Sequence, residues 1–231
     1  MIYDTLLIDL DGTVLDFEAN QEQALTKLFL NRGIVLTEEM RQYYRDFNAR
    51  LWLEHETGKI SVRELCDTRF ARFLAHFGHT VDGADWEREY REYLGEGSQT
   101  MPHALEVCGE LARECRLYVA TNGVRKTQMR RLTDSGLLPL FRAVFDSESI
   151  GVQKPFAGFF DHVAANIPDF CPEKTLMVGD SPASDIKGGL EYGLPTVWYD
   201  PKGKLDCGGL TPDWRITDLR QLLTLCRTGK L

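Results

Sequence analysis

Positive charge is scarce in this chain: 27 Lys and Arg stand against 35 Asp and Glu, a formal net charge of −8. A surface of that sign is a poor partner for nucleic acid or an anionic membrane, both of which need basic patches. Paired cysteines are missing as well. Cys66, Cys108, Cys115, Cys171, Cys207 and Cys226 are scattered, with no C-x-x-C spacing, so no zinc site or thioredoxin-like motif is indicated. Idle thiols of that kind suit a reducing compartment. No apolar run approaches the roughly 20 residues of a membrane helix. No basic segment followed by an apolar stretch precedes the first strand, and a cytoplasmic location is the expectation. Internal repeats and low-complexity segments are absent too. What remains is ordinary for a globular protein: 231 residues, 43% hydrophobic and 27% charged. That length suffices for one large domain, or for a domain carrying an insertion.

The most informative segment is Leu6-Leu7-Ile8-Asp9-Leu10-Asp11-Gly12-Thr13. The run Thr5 to Ile8 is short and apolar, then breaks at Asp and Gly, as a buried parallel strand does at its end. In open α/β sheets, ligands bind at the carboxyl ends of strands. Two carboxylates crowded there repel each other and are costly to desolvate. A divalent cation relieves both problems, and oxygen-only ligands suit Mg²⁺, which commonly accompanies phosphate.

Residues 17–97 read as four successive helices with no strand between them. Ala24, Leu25, Leu28 and Phe29 recur at helical spacing in the first. The second opens at Thr37 and the third at the capping box Ser61-Val62-Arg63-Glu64. The fourth, acidic one runs from about Gly83 to Leu94. Such a segment predicts a helical bundle. From Met101 onward, strands and helices alternate. Strands are expected at Leu117–Thr121, Val144–Asp146, Thr175–Val178 and Pro195–Tyr199. Helices are expected at Leu105–Arg113, Arg125–Ser135, Phe156–Asn166, Ser184–Tyr192 and Leu219–Cys226. That alternation predicts an α/β fold, a doubly wound parallel sheet that includes the first strand. The domains then fall as 1–16 with 98–231 for the core, and 17–97 for an inserted helical bundle. Lys202 to Gly209 is the most loop-like stretch.

Polar residues cluster at the predicted strand ends: Asp9 and Asp11, then Thr121-Asn122-Gly123, then Gly179-Asp180, with Asp185 five residues beyond Asp180. Lys154-Pro155 follows the third strand. In a parallel sheet these ends converge. The set holds a carboxylate nucleophile, a second carboxylate, a hydroxyl, a lysine and further acids for metal, as phosphoryl transfer requires. Taken singly, each motif also has a plain structural reading. Asp11-Gly12 can be a turn, Thr121-Asn122-Gly123 a strand-to-helix connection, and Ser181 and Asp185 helix caps.

Taken in order, Asp9-x-Asp11-x-Thr13, Thr121, Lys154 and Gly179-Asp180-x-x-x-x-Asp185 resemble the four motifs of the haloacid dehalogenase superfamily of phosphohydrolases. The resemblance spans the chain, and the insertion matches that superfamily's helical cap. It implies Asp9 as nucleophile, forming an aspartyl-phosphate, and Asp11 as general acid and then general base. It implies Mg²⁺ held by Asp9, Asp180 and the carbonyl of Asp11, with Asp185 acting at the metal through water. Thr121 and the amide of Asn122 would bind phosphoryl oxygens, and Lys154 would neutralise charge there. The cap would gate the site, with linkers near Asp16 and Gly95-Glu96-Gly97.

Asp11 favours phosphate ester hydrolysis over dehalogenation, which needs no acid there. Thr121-Asn122-Gly123, Gly151-Val152-x-Lys154-Pro155, Ser184-Asp185-Ile186-x-Gly188-Gly189 and Asn48-Ala49-x-Leu51-Trp52 resemble the pyrimidine 5′-nucleotidase branch. A phosphomonoester is therefore the expected partner. Phosphoglycolate and sugar phosphates are alternative substrates. A hexose-phosphate mutase, a phosphonate hydrolase using Lys59 and a non-catalytic phosphate-binding module are the competing classes. Outside the motifs, Asp4, Asp16 and Asp146 read as solvated or capping; His55, Trp52 and Tyr44 fall on the second helix, the two aromatics as core; Lys59 reads as a surface residue and His103 as a loop or helix-start residue.

Overall fold

Four consecutive apolar-faced residues, Thr5–Ile8, form strand β1, and all four side chains are buried. The computed structural model describes residues 1–203 and 206–231. Along the chain β1 is followed by helices α1 (Phe17–Asn31), α2 (Glu38–Glu56), α3 (Val62–His76), α4 (Gly83–Glu96) and α5 (Ala104–Leu111). Then come β2 (Arg116–Thr121), α6 (Arg125–Asp134), β3 (Ala143–Asp146), α7 (Ser147–Ile150) and α8 (Ala157–Ala165). The chain continues through β4 (Thr175–Gly179), α9 (Lys187–Tyr192), β5 (Thr196–Tyr199), β6 (Trp214–Ile216) and α10 (Gln221–Thr228). The chain divides into two compact units, Met1–Phe17 with Ser98–Leu231, and Glu18–Gly97.

The first unit is built on a parallel sheet of order β3-β2-β1-β4-β5-β6. β1 lies inside, with Ile8 in register with Val119 on one side and Val178 on the other. The strand order reverses at β1, and that is where a doubly wound sheet opens a crevice at its carboxyl edge. Alternation along the strands supplies two cores. Leu6 and Ile8 face one way with Leu117, Val119, Leu176 and Val178, packed on residues of α5 and α10 such as Val107, Leu111, Leu222 and Leu225. Leu7 faces the other way with Tyr118, Ala120 and Met177, against Phe159, Phe160 and Val163 of α8.

The expected fold class and strands are present, with one addition. β6 pairs with β5, Val197 opposite Trp214; only three residues long and carrying a charged Arg215, it gives no apolar run to read. The expected helix from Ser184 is also resolved into two parts. A single π turn spans Pro182–Ile186, and α9 follows it. The loop expectation for Lys202–Gly209 covers Lys204 and Leu205, which lie outside the described residues; the rest of that stretch is turn and irregular backbone. Among the described residues, no helix is long and apolar enough to cross a membrane.

The helical unit is organised by its caps and by aromatic packing. Thr37, Ser61 and Asp82 accept hydrogen bonds from the backbone N–H groups of Met40, Glu64 and Asp85, at 3.2, 3.1 and 3.1 Å. These bonds satisfy donors that each helix start would otherwise orphan. Phe29, Tyr44, Phe70, Phe73, Trp86 and Tyr90 fill the interior in edge-on and stacked contacts. Within this apolar setting lies a charged pair. The Arg69 guanidinium meets both carboxylate oxygens of Glu87 at 2.7 Å, and donates to Asn48 Oδ1 at 3.0 Å. Asn48 in turn donates to Gln21 at 3.0 Å. Burial works against the charge on Arg69, but the Glu87 carboxylate together with Tyr44, Tyr90 and Cys66 outweighs it and raises the guanidinium's pKa.

Removing Arg69 takes two hydrogen bonds from the buried Glu87 carboxylate and leaves it, among the described residues, only Arg91, whose Nε donates to Oε1 at 2.7 Å. Arg69→Ala is therefore expected to cost about 3–5 kcal/mol, read as a drop in the denaturant midpoint of the full chain. A change below about 1 kcal/mol would show that Arg91 alone suffices to hold the Glu87 carboxylate.

Candidate active site

Asp9 follows β1 directly and donates its backbone N–H to the carbonyl of Val178 at 2.9 Å, which extends the sheet one residue past the strand. Its carboxylate meets the ammonium of Lys154 at 2.8 Å. That ammonium also donates to Asp185 Oδ1 at 2.6 Å and to the Ala120 carbonyl at 2.6 Å. A lysine has three donors, and all three are used. Lys154 is 1% exposed. Burial disfavours its charge, yet Asp185 and Asp9 outweigh that cost and lift its pKa above the usual lysine value.

Lys154 is placed by a residue distant in sequence. The Asn122 side chain accepts from the Lys154 backbone N–H at 2.9 Å and donates to the Lys154 carbonyl at 3.0 Å. The Lys154–Pro155 peptide bond is cis. The Asn122 side chain is thus committed to the loop that carries the lysine, a task its place after a strand does not reveal.

Asp180 ends β4. Trp198 Nε1 donates to its backbone carbonyl at 3.0 Å, and Thr13 Oγ1 approaches its carboxylate at 3.4 Å. Asp185, fully buried at the π turn, spends its second oxygen on the Ser181 N–H at 3.1 Å. One oxygen each from Asp9, Asp180 and Asp185 lie within 4.8 Å of one another. Two glycines make this crowding possible. A methyl group at Gly12, whose φ is +83°, would overlap the Asp180 carboxylate, and one at Gly179 would overlap that of Asp185.

Three carboxylates and one ammonium leave the cluster short of positive charge. Burial, then the charges of Asp185 and Asp11, push the Asp9 carboxyl up to about 8, although Lys154 pulls it down. Burial, then Asp9, Asp185 and Asp11, likewise drive Asp180 well above the carboxylate range. Such a donor set, all oxygen and electrostatically under-compensated, fits a hard divalent cation.

Asp11 faces another way. Its Oδ2 accepts from Gln128 Nε2 at 2.6 Å, and its Oδ1 pairs with the guanidinium of Arg131. Gln128 also donates to Thr121 Oγ1 at 3.2 Å. Neither Gln128 nor Arg131 stands out in the sequence, where Arg125-Lys126-x-Gln128-x-Arg130-Arg131 reads as a solvated charged face. A usable signal was present: α6 has no apolar stripe, so some polar side chains must turn inward.

Of the other residues weighed from sequence, Tyr44 is fully buried among aromatic rings and His55 is buried with Nδ1 3.1 Å from the Ile60 carbonyl. Trp52 is half-buried and packs edge-on against His55. Asp146, read as solvated or capping, is a buried cap: it accepts from the Ser149 N–H at 2.8 Å. His103 stands at the start of α5 in the left-handed region, φ 64°.

The Asp9 shift has a sign that can be tested. Its carboxyl sits near 8 in the folded chain against an ordinary 3.8, so between those values the folded state binds a proton that the unfolded state has lost. The stability this contributes is complete below the lower value and is lost as pH rises through the upper one. In chelator, the melting temperature of the wild type relative to Asp9→Asn is expected to fall steadily from pH 5 to pH 8.5. A difference that stays flat would contradict the shift.

Relatives place this arrangement. Over 220 residues the chain is 42% identical to YfnB, a HAD-hydrolase of Bacillus subtilis, covering 95% of this chain and 94% of the relative. It is 40% identical over 224 residues to the pyrimidine 5′-nucleotidase PynA of Streptococcus pneumoniae, covering 96% and 94%. The crystal structure of YfnB bound to magnesium, described as revealing interdomain movement, superposes with a TM-score of 0.93 at 41% identity, over 98% of this chain and 99% of that one. The family model for haloacid dehalogenase-like hydrolases matches residues 3–193, and the chain belongs to that family of hydrolases.

Proposed function

We propose that this hydrolase is a Mg²⁺-dependent phosphomonoesterase acting through an aspartyl-phosphate, with nucleoside 5′-monophosphates, pyrimidine nucleotides foremost, as substrates. The observation that carries the reading is the pairing at one sheet edge of a lysine-bound carboxylate, Asp9, with a second carboxylate, Asp11, tied to the Thr121 hydroxyl through Gln128. The substrate class is supported by the 40% identity to PynA across nearly the whole chain. The domain division, 1–16 with 98–231 as catalytic core and 17–97 as inserted cap, is part of the proposal.

Asp9 attacks phosphorus in line with the ester oxygen. The phosphorus–ester oxygen bond breaks, and Asp11 delivers a proton to the departing oxygen. Asp11 then accepts a proton from the water that attacks phosphorus, the bond to Asp9 breaks, and inorganic phosphate leaves. Lys154 and the bound Mg²⁺ together would hold Asp9 ionised, and Lys154 faces the charge that develops on the phosphoryl group. Thr121 Oγ1 already accepts from Gln128 and from the Gly123 N–H at 3.0 Å, so its own proton is available to a phosphoryl oxygen. Asn122 contributes its backbone amide there, while its side chain holds Lys154. Asp9, Asp180 and the Asp11 carbonyl would hold Mg²⁺, with Asp185 acting through water because both its oxygens are engaged. The bound ion supplies Lewis-acid neutralisation of phosphoryl charge.

Phosphate release from a panel of phosphomonoesters tests the reading. Uridine and thymidine monophosphates are expected to lead purine monophosphates, phosphoglycolate and sugar phosphates, with release abolished by chelator. Preference for another ester would keep the chemistry and replace the substrate; no release from any would overturn both. Asp9→Asn is expected to lose on the order of 10⁴-fold or more in kcat while remaining folded. Near-wild-type turnover by that variant would remove Asp9 as the nucleophile.

A further inference from the structure

Arg131 has the largest fully buried side chain in the structure, with 0% exposure. A buried guanidinium needs an anion, and most proteins supply a structural one. Here the anion is Asp11, whose side chain remains 29% exposed on the other side of the pair. The charge is thus sunk into the protein, while its partner is left at the surface of the crevice edge.

Gln128 stands one turn before Arg131 on α6, so both side chains project from one face. Arg131 Nη1 donates to Gln128 Oε1 at 3.0 Å. That bond sets the orientation of the amide, because the oxygen is taken by the guanidinium and the nitrogen must turn the other way. The nitrogen then donates twice, to Asp11 Oδ2 at 2.6 Å and to Thr121 Oγ1 at 3.2 Å. Gly123 leaves room for it. A methyl group there would overlap the Gln128 amide, although Gly123 itself needs no unusual backbone angle. The third position of Thr121-Asn122-Gly123 is therefore explained by the Gln128 amide. The guanidinium also lies over the ring of Phe17, 5.9 Å from its centroid.

We infer that Gln128 and Arg131 are positioning residues, holding the Asp11 carboxylate in fixed register with the Thr121 hydroxyl. The inference rests on the proton-transfer role of Asp11 proposed above. Each Asp11 oxygen accepts one bond from this pair and has two lone pairs. Each therefore keeps one site for the ester oxygen or for water, in a direction the α6 pair determines. The nucleophile Asp9 is held by a separate group, Lys154. Losing the α6 pair should thus impair proton delivery and leave nucleophilic attack largely intact.

Leaving groups separate those two effects. An alkyl or ribosyl ester needs its oxygen protonated as it departs, whereas nitrophenolate leaves without help. In the full-length enzyme with Mg²⁺, Arg131→Met is expected to lower kcat/KM for a nucleoside monophosphate by about 10–100-fold. For nitrophenyl phosphate the loss should stay within about fivefold. Gln128→Leu, which removes no buried charge, should show the same asymmetry if Arg131→Met does not fold. Adding either change to Asp11→Asn should cost nothing further on the nucleotide, since both act through the same carboxylate. Equal losses on both esters, or losses that add to that of Asp11→Asn, would overturn the inference. If Asp11→Asn alone spares the nucleotide reaction, the proton-transfer role of Asp11 fails instead, and the two failures are told apart.

Discussion

One ammonium group organises the carboxylate cluster at the edge of the sheet. Lys154 is buried, spends every proton it has, and spends them on two carboxylates and a strand carbonyl. Asp9 and Asp185 cannot lie so close together without it, and Asp180 adds a third negative charge to the same few ångströms. Burial, and after it this incomplete compensation, is why Asp9 and Asp180 both hold protons more tightly than free carboxyls do. A cluster balanced by lysine alone would be a structural ion-pair network. One left in deficit is ready for a cation and for the charge of a phosphoryl group.

The second half of the site is wired independently. Asp11 is two residues from Asp9 yet belongs to a different set of contacts, made by α6. Adjacent strand-end carboxylates thereby acquire different environments from different elements, the condition under which two chemically identical groups take different roles. Thr121 sits where the two sets meet: its strand neighbour Ala120 lends a carbonyl to Lys154, while its own hydroxyl touches Gln128.

Much of this was legible in the sequence, for a physical reason. Parallel strands that end in polar residues converge whatever their order in the chain, so Asp9, Lys154, Asp180 and Asp185 could be assembled from strand positions alone. The helix boundaries were legible where capping side chains mark them, as at Thr37 and Ser61. What was hidden are residues whose role depends on a neighbour's shape. Arg131 looks like any surface arginine until α6 is seen to lack an apolar face. Asn122 was read for its backbone, while its side chain turned out to clamp the lysine loop. β6 escaped because three residues with a charged middle carry no period.

The register of β1 has a consequence for how the chain acquires its site. Thr5 pairs with Arg116 and Thr175, so the strand that leads into Asp9 closes its two ladders over more than a hundred residues. The helical unit, by contrast, is contiguous in sequence. Long-range pairings must await loop closure and are formed slowly. During synthesis Asp9 is made well before its partners: it has no counter-charge until Lys154 exists and no completed sheet until β4 does. The carboxylate edge thus becomes whole only after the contiguous helical unit has been made, and a chain interrupted before residue 154 leaves Asp9 with no cation to hold it.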